Sequence, residues 1–254
     1  MEKKYLDVEH NGNLYKISSI YRKSCDEMLL FIHGLGCSKD SFRDVYGFEG
    51  LKEYSILTID LLGFGDSDKK DFSYKMEDHA LILAKILEQF SFKKLHVIAH
   101  SMGGAVGLLL QEFIQCPFAS FANLEGNLIP DDCGTISRKS ATLSYKTFLN
   151  NLMPVLLKTK FDDRFFIHDS DPEGFYKSAV SLVNWSDSGK LINLFRNLSC
   201  LKAFFYGSHN KGMEILKHLS DIRSVEIENS GHFMMNDNSI DFYSKLKSFI
   251  EGLG

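Results

Sequence analysis

Short apolar runs alternate along this chain with stretches whose apolar residues fall three or four positions apart. The runs at 28–32, 55–59, 95–99, 118–124, 201–206 and 224–227 have the length and continuity of strands covered on both faces, as in a parallel sheet. Between them, Met76, Ala80, Leu83, Leu87 and Phe90 share one helical face, and Ile240, Tyr243, Leu246 and Ile250 repeat the pattern near the C-terminus. An apolar helix is expected from Ser101 to about Phe113. Asn11-Gly12 is a hairpin signal between strands at 5–8 and 14–21. Strands alternating with helices predict an α/β protein with a doubly wound, mostly parallel sheet.

The alternation stops between about Gly126 and Ser199, where no run resembles a strand. Ala141, Tyr145, Phe148, Leu152 and Leu156 make a helical stripe, interrupted near Pro154. Asp171-Pro172-Glu173 has the form of an N-cap with proline at the first helical position, ahead of Phe175, Ala179 and Leu182. Asp187 is a candidate cap for a helix carrying Leu191, Leu194 and Leu198. The expected organisation is a core of residues 1–125 and 200–254 interrupted by a helical cap at 126–199. Gly126-Asn127 and Ser199-Cys200 are its candidate hinges.

Composition narrows the class. The 254 residues are 44% hydrophobic and 24% charged, ordinary for a globular protein and unlike a disordered or fibrous chain. A net charge of −4 gives no electrostatic reason to expect nucleic acid. Apolar runs fall well short of a membrane span, and the first residues lack the apolar stretch of a signal peptide. The 5 cysteines are odd in number and widely spread, without metal-ligand spacing, which predicts reduced thiols and a cytoplasmic location.

The most informative segment is His96-Val97-Ile98-Ala99-His100-Ser101-Met102-Gly103-Gly104. An apolar strand ends, a serine follows and an apolar helix begins. Ala99 and Gly103 are the small residues that a sharp strand-to-helix turn requires two positions before and after its apex. Such a turn exposes the serine oxygen and aims unpaired helix N–H groups at it. Phe31-Ile32-His33-Gly34-Leu35-Gly36 follows an earlier strand, and the N–H groups of Leu35 and Met102 are candidate oxyanion donors. Asp60-Leu61-Leu62-Gly63-Phe64-Gly65-Asp66-Ser67 is glycine-rich but lacks the Lys-Ser/Thr of a phosphate loop, and reads as structural. Ser230-Gly231-His232 stands after the last strand, where an imidazole can reach a nucleophile at the strands' C-terminal ends. His232 is therefore the candidate base, ahead of His33, His96, His100 and His209.

Together these motifs resemble the capped α/β-hydrolases over almost the full chain. The serine turn is similar to their G-x-S-x-G nucleophile elbow, with Ala99 for the first glycine, and 60–67 to their D-x-x-G-x-G-x-S loop. The resemblance implies a Ser101–His232 pair completed by a carboxylate. The family's usual acid position, after the penultimate strand, reads Tyr206-Gly207-Ser208-His209-Asn210 here, an amide instead of a carboxylate. Glu125 closes the strand after the nucleophile helix, as the acid does in haloalkane dehalogenases and certain lipases, and is the leading candidate. Asn210 as orienter, and Asp237 or Asp221 as acid, stay open.

The expected activity is hydrolysis of a carboxylic ester with a small to medium apolar acyl group, through an acyl-enzyme on Ser101. A thioesterase, a lactonase, a carbon–carbon bond hydrolase and a weakly catalytic binding or signalling protein are the alternatives. Serine at the elbow argues against dehalogenase and epoxide hydrolase chemistry. No cofactor or metal is implied. The expected partner is a small ester-like molecule, with no nucleic acid and no membrane; the sequence leaves the oligomeric state open. Phe148, Phe161, Phe165, Phe166, Phe175, Tyr176, Trp185 and Phe195 are the cap aromatics, some expected to line a pocket and most to pack. Arg138 is expected at the surface rather than on a substrate carboxylate.

Overall fold

The structure is a computed structural model that describes residues 2–158 and 167–253. Its sheet has eight strands: β1 (Glu2–His10), β2 (Asn13–Arg22), β3 (Glu27–Ile32), β4 (Ser55–Ile59), β5 (Lys94–His100), β6 (Ser120–Leu124), β7 (Leu201–Gly207) and β8 (Ser224–Ile227). They lie in the order β1-β2-β4-β3-β5-β6-β7-β8. β1 and β2 are antiparallel to their neighbours, and every pairing from β4 to β8 is parallel.

Both faces of the inner parallel strands β3, β4, β5 and β6 are buried, which is why they read as continuous apolar runs, whereas β8 at the edge is only partly buried. Leu30, Ile32, Val97, Ala99, Phe121 and Phe204 face one apolar core. Leu29, Phe31, Ile98, Ala122, Ala203 and Phe205 face another. The first core is covered by α1 (Met76–Leu87) and α2 (Met102–Leu110). The second is covered by the short helix Lys39–Tyr46 and by the C-terminal helix Ser239–Ile250.

The hairpin is longer than its apolar residues suggest, because β1 is an edge strand whose outer positions are polar and exposed. Its turn has φ of 50° at Asn11 and 77° at Gly12, the positive pair a two-residue hairpin of the right twist needs. α2 stops at Leu110, three residues before the expected end, and β6 starts at Ser120. In the C-terminal helix Phe242, Tyr243, Leu246 and Phe249 are buried, whereas Ile240 is 75% exposed and lies off the core stripe.

Between β6 and β7 every described element is helical. Asp171 caps Pro172–Asp187 by accepting the Gly174 N–H at 2.8 Å, with Pro172 at the first position. Asp187 does not cap the next helix. It ends its own helix and pairs with Arg138 at 2.7 Å, and Gly189 at φ 66° precedes Lys190–Asn197. Pro154 does not break its helix either: a π turn at Phe148–Leu152 feeds Met153–Lys158. Phe161, Phe165 and Phe166 lie outside the described residues.

Candidate active site

The strand order reverses around β3, and β5 lies on its other side. The crevice at the carboxyl ends of strands beside such a switch is where open α/β sheets bind ligands. Ser101 stands at the end of β5 with φ 53° and ψ −122°, a conformation that costs about 1–3 kcal/mol in a residue with a side chain. Its neighbours make the bend feasible. A Cβ on Gly103 would meet the Ile32 carbonyl at 2.5 Å, and one on Gly34 would meet Ser101 Cβ at 3.0 Å. The backbones of the β3 loop and the α2 start therefore pass at a distance only glycine permits.

The ladder continues past the strand ends. The Ser101 N–H donates to Leu124 O on β6 (3.0 Å), and the Glu125 N–H donates to Phe205 O on β7 (3.0 Å). Glu125 also has a positive φ, 43°, which turns its side chain out of the sheet's alternation. Its carboxylate is buried and accepts four hydrogen bonds. His232 Nδ1–H donates at 2.8 Å to Oε2, Gly207 N–H at 2.9 Å to Oε1, and the Asn210 amide at 3.0 Å to each oxygen. Burial alone would push this carboxyl up, but His232, Asn210 and Gly207 together hold it below the usual carboxylate range. Asn210 thus stands beside Glu125 and clamps its carboxylate.

The His232 loop is fixed from below. A Cβ on Gly207 would meet the Gly231 carbonyl at 2.4 Å, so the end of β7 presses against this loop. Asp237 accepts the Gly231 N–H at 2.9 Å, and Asp221 is exposed and lies 3.9 Å from Arg196. His33 donates through Nδ1 to Gly34 O and accepts the Leu61 N–H at Nε2, which commits both its nitrogens to the loop. His96 meets Ser120 at the other end of β5, and His209 is exposed. The 60–67 loop closes on itself: Asp60 accepts from Lys39 Nζ (2.7 Å), Lys39 N–H (2.7 Å) and Asp66 N–H (2.9 Å).

Ser101, Glu125 and His232 line one cavity of about 560 Å³, together with Leu35, His100 and Asn210. Met102 is fully buried at the start of α2. From the segment after β6 the lining residues are Asn127, Asp131, Asp132, Gly134, Ile136 and Ser137. Phe148, Phe175, Tyr176, Trp185 and Phe195 are not among the residues that line the cavity, and Phe161, Phe165 and Phe166 lie outside the described residues. Phe148 stacks on Phe175 at 5.9 Å, Phe195 packs on Phe121 at 6.0 Å, and Tyr176 and Trp185 donate to Leu143 O and Glu77. Nothing in their periodicity separated packing from lining, whereas Pro130-Asp131-Asp132, a few residues after Glu125, is a turn signal beside the site. Arg138 is bonded to Asp187 and Pro130 O, away from the cavity. Cys37 also lines the cavity, its buried thiol pushed up to about 12. Among the described residues no group of three or more His, Cys, Asp or Glu is assembled to hold a metal, and no helix is long and apolar enough to cross a membrane.

Residues 27–136 match the alpha/beta hydrolase fold family. Over 87 residues the chain is 38% identical to a probable lysophospholipase, BODYGUARD 4, of Arabidopsis thaliana. Over 119 residues it is 32% identical to Lipase 1 of Psychrobacter immobilis. These matches span 33% and 41% of this chain but only 21% and 37% of those relatives' own lengths. Among solved structures, the N-acyl homoserine lactonase AidH with N-butanoyl homoserine is similar at a TM-score of 0.77 and 16% identity, covering 99% of this chain and 97% of that one. A thermophilic esterase from Thermogutta terrifontis gives 0.76 and 19%, covering 99% of both. At such identities the likeness speaks to fold, and it covers nearly the whole chain. The chain therefore has the α/β-hydrolase fold, and its residues 27–136 match that family's model.

Proposed function

We propose that the protein is a serine hydrolase that cleaves a carboxylic ester of small to medium apolar acyl group through an acyl-enzyme on Ser101. The observation that carries this reading is the 2.8 Å bond from His232 Nδ1–H to a buried, fourfold-bonded Glu125 in the cavity that also holds Ser101. A base whose Nδ1 proton is held by a carboxylate presents its bare Nε2 to a hydroxyl.

In this mechanism Ser101 Oγ attacks the ester carbonyl while His232 Nε2 takes the hydroxyl proton. The N–H groups of Leu35 and Met102 stabilise the oxyanion, and His232 returns the proton to the leaving alkoxide. Water, deprotonated by the same imidazole, then releases the acid from Ser101. Glu125 stays ionised and stabilises the imidazolium. A cavity of about 560 Å³, with Leu35, Ile136, Met213 and Phe233 among its walls, suits an acyl chain of that size.

In the same reading, residues 126–199 cap a core of 1–125 and 200–254, contributing one wall of the cavity. The substrate is a small molecule rather than a nucleic acid, and the five unpaired cysteines fit a cytoplasmic location. Thioesters, lactones and diketone-like compounds share the chemistry and are separated by a substrate panel. A weakly catalytic binding or signalling role drew its support from Asn210; the two hydrogen bonds of this amide to Glu125 support the hydrolase reading instead.

Wild-type protein should hydrolyse p-nitrophenyl butyrate, and Ser101→Ala should lower kcat by about 10⁵- to 10⁶-fold. Equal rates in the two proteins would refute a serine mechanism.

A further inference from the structure

His100, the residue before the proposed nucleophile, is fully buried and yet borders the cavity. Its Nε2 lies 2.9 Å from the backbone carbonyl oxygen of His232. A carbonyl only accepts, so Nε2 carries the proton. Burial, and the neighbouring His232, push the pKa of His100 well below that of an ordinary histidine, so the ring is neutral and its Nδ1 is bare. That Nδ1 has no hydrogen-bond partner among the described residues. It faces Gly34 closely enough that a Cβ there would stand 3.1 Å away. The His100 ring lies 4.5 Å from the His232 ring and 5.3 Å from that of Phe233, centroid to centroid.

One imidazole therefore touches three pieces of chain that reach the site separately: the β3 loop at Gly34, its own strand end beside Ser101, and the loop carrying His232. A neutral apolar side chain of the same size would fill the space but leave the His232 carbonyl without its donor. The bond is half-buried, and a carbonyl deprived of its donor there draws the loop toward another partner.

We propose that His100 is a positioning residue that fixes the His232 loop against Ser101 and the Gly34 loop through its Nε2–H bond to the His232 carbonyl. The proposal rests on the serine hydrolase reading, in which a displacement of the base of about 1 Å costs up to about 10²-fold in rate. His100 exchanges no proton with substrate. Its effect is on kcat and on nucleophile activation, not on substrate affinity.

The test compares His100→Phe, which keeps the ring and loses the donor, with His100→Gln, whose amide N–H₂ reaches the same carbonyl. With p-nitrophenyl butyrate, His100→Phe should lower kcat by about 30- to 100-fold with KM within about threefold, and slow fluorophosphonate labelling of Ser101 in parallel. His100→Gln should regain at least about tenfold of that loss, since a side-chain donor is restored. In the wild-type protein, imidazole ¹⁵N resonances should report His100 as the Nε2–H tautomer at all pH values where the fold persists. Unchanged kcat in His100→Phe, no recovery in His100→Gln, or an Nδ1–H signature would each overturn the proposal. Wild-type protein that neither labels nor turns over would overturn the hydrolase reading instead, and the tautomer would still decide whether this bond exists.

Discussion

The ends of β5 and β6 lie side by side in the sheet, and each carries a residue forced to positive φ, Ser101 at 53° and Glu125 at 43°. The chain marks them very differently. Around Ser101 a cluster of small residues accommodates the bend: Ala99, Gly103 and Gly104 surround it, and Gly34 faces it from β3. Beside Glu125 in the chain Gly126 does so, where a Cβ would meet the Asn123 amide oxygen at 2.6 Å, the atom that accepts the Gly126 N–H, and Gly104 of α2 faces it. The difference follows from what packs there. Ser101 turns into a helix that must pass close to β3, so small residues are required on both sides. Glu125 turns into a buried segment whose Gly126 packs against Gly104 of α2, a contact that asks for one glycine on each side and leaves the residues before Glu125 unmarked. A bend enforced by packing leaves a local motif; a bend held by long-range hydrogen bonds leaves almost none.

Three substitutions probe that contrast. The largest effect is expected at the poorly marked end. Glu125→Gln keeps the shape and removes the charge opposite His232, and should lower kcat by about 10⁴-fold, as loss of the orienting carboxylate does in other triads. Steady-state kinetics with p-nitrophenyl butyrate check this, and near-normal turnover would move the acid elsewhere.

Next is the clamp. Asn210→Ala removes a donor shared by both Glu125 oxygens. Gly207 N–H and His232 still hold the carboxylate, so kcat should fall only by about tenfold, the value of one hydrogen bond to a charged group. A loss as large as that of Glu125→Gln would make Asn210 the principal orienter.

The smallest effect is on stability. Asp132, in the turn that follows the β6 end, has its carboxyl raised to about 6, first by burial and then by Asp131 and Glu125, against the N–H groups of Ile129 and Leu128. Its protonated form is the one the fold favours. The stability it contributes is complete below its unfolded value near 3.8 and is lost as pH rises through about 6. Asp132→Asn should therefore melt progressively higher than wild type between pH 4 and 7, by a few degrees at the upper end. A difference that stays flat or narrows with pH would contradict the burial argument.

The same contrast accounts for what could be read in advance. The inner parallel strands were legible because both faces are buried, and α1 because one face is. Ser101 and His232 were legible because a sharp turn and a glycine before the last helix are local features. Glu125 was reached only by its place after the right strand and by chain order, and it stands opposite His232 Nδ1. The clamp by Asn210 joins residues far apart in sequence, and the contact of His100 with the His232 carbonyl does the same; neither leaves a periodic or compositional trace. The helical segment was the least legible. Its aromatic stripes predicted helices correctly, but amphipathic spacing reports burial and says nothing of whether the covered surface is core or cavity. Phe148, Phe175 and Phe195 are core, and the cavity wall is instead built by residues such as Asp131, Ile136 and Ser137.

The central claim, that Ser101 is an activated nucleophile, is tested most directly by labelling with a fluorophosphonate and mapping the adduct by mass spectrometry. The prediction is a single adduct on Ser101 in the wild-type protein, absent from Ser101→Ala and formed far more slowly in Glu125→Gln. An unlabelled wild-type protein, or an adduct on another residue that persists in Ser101→Ala, would contradict it.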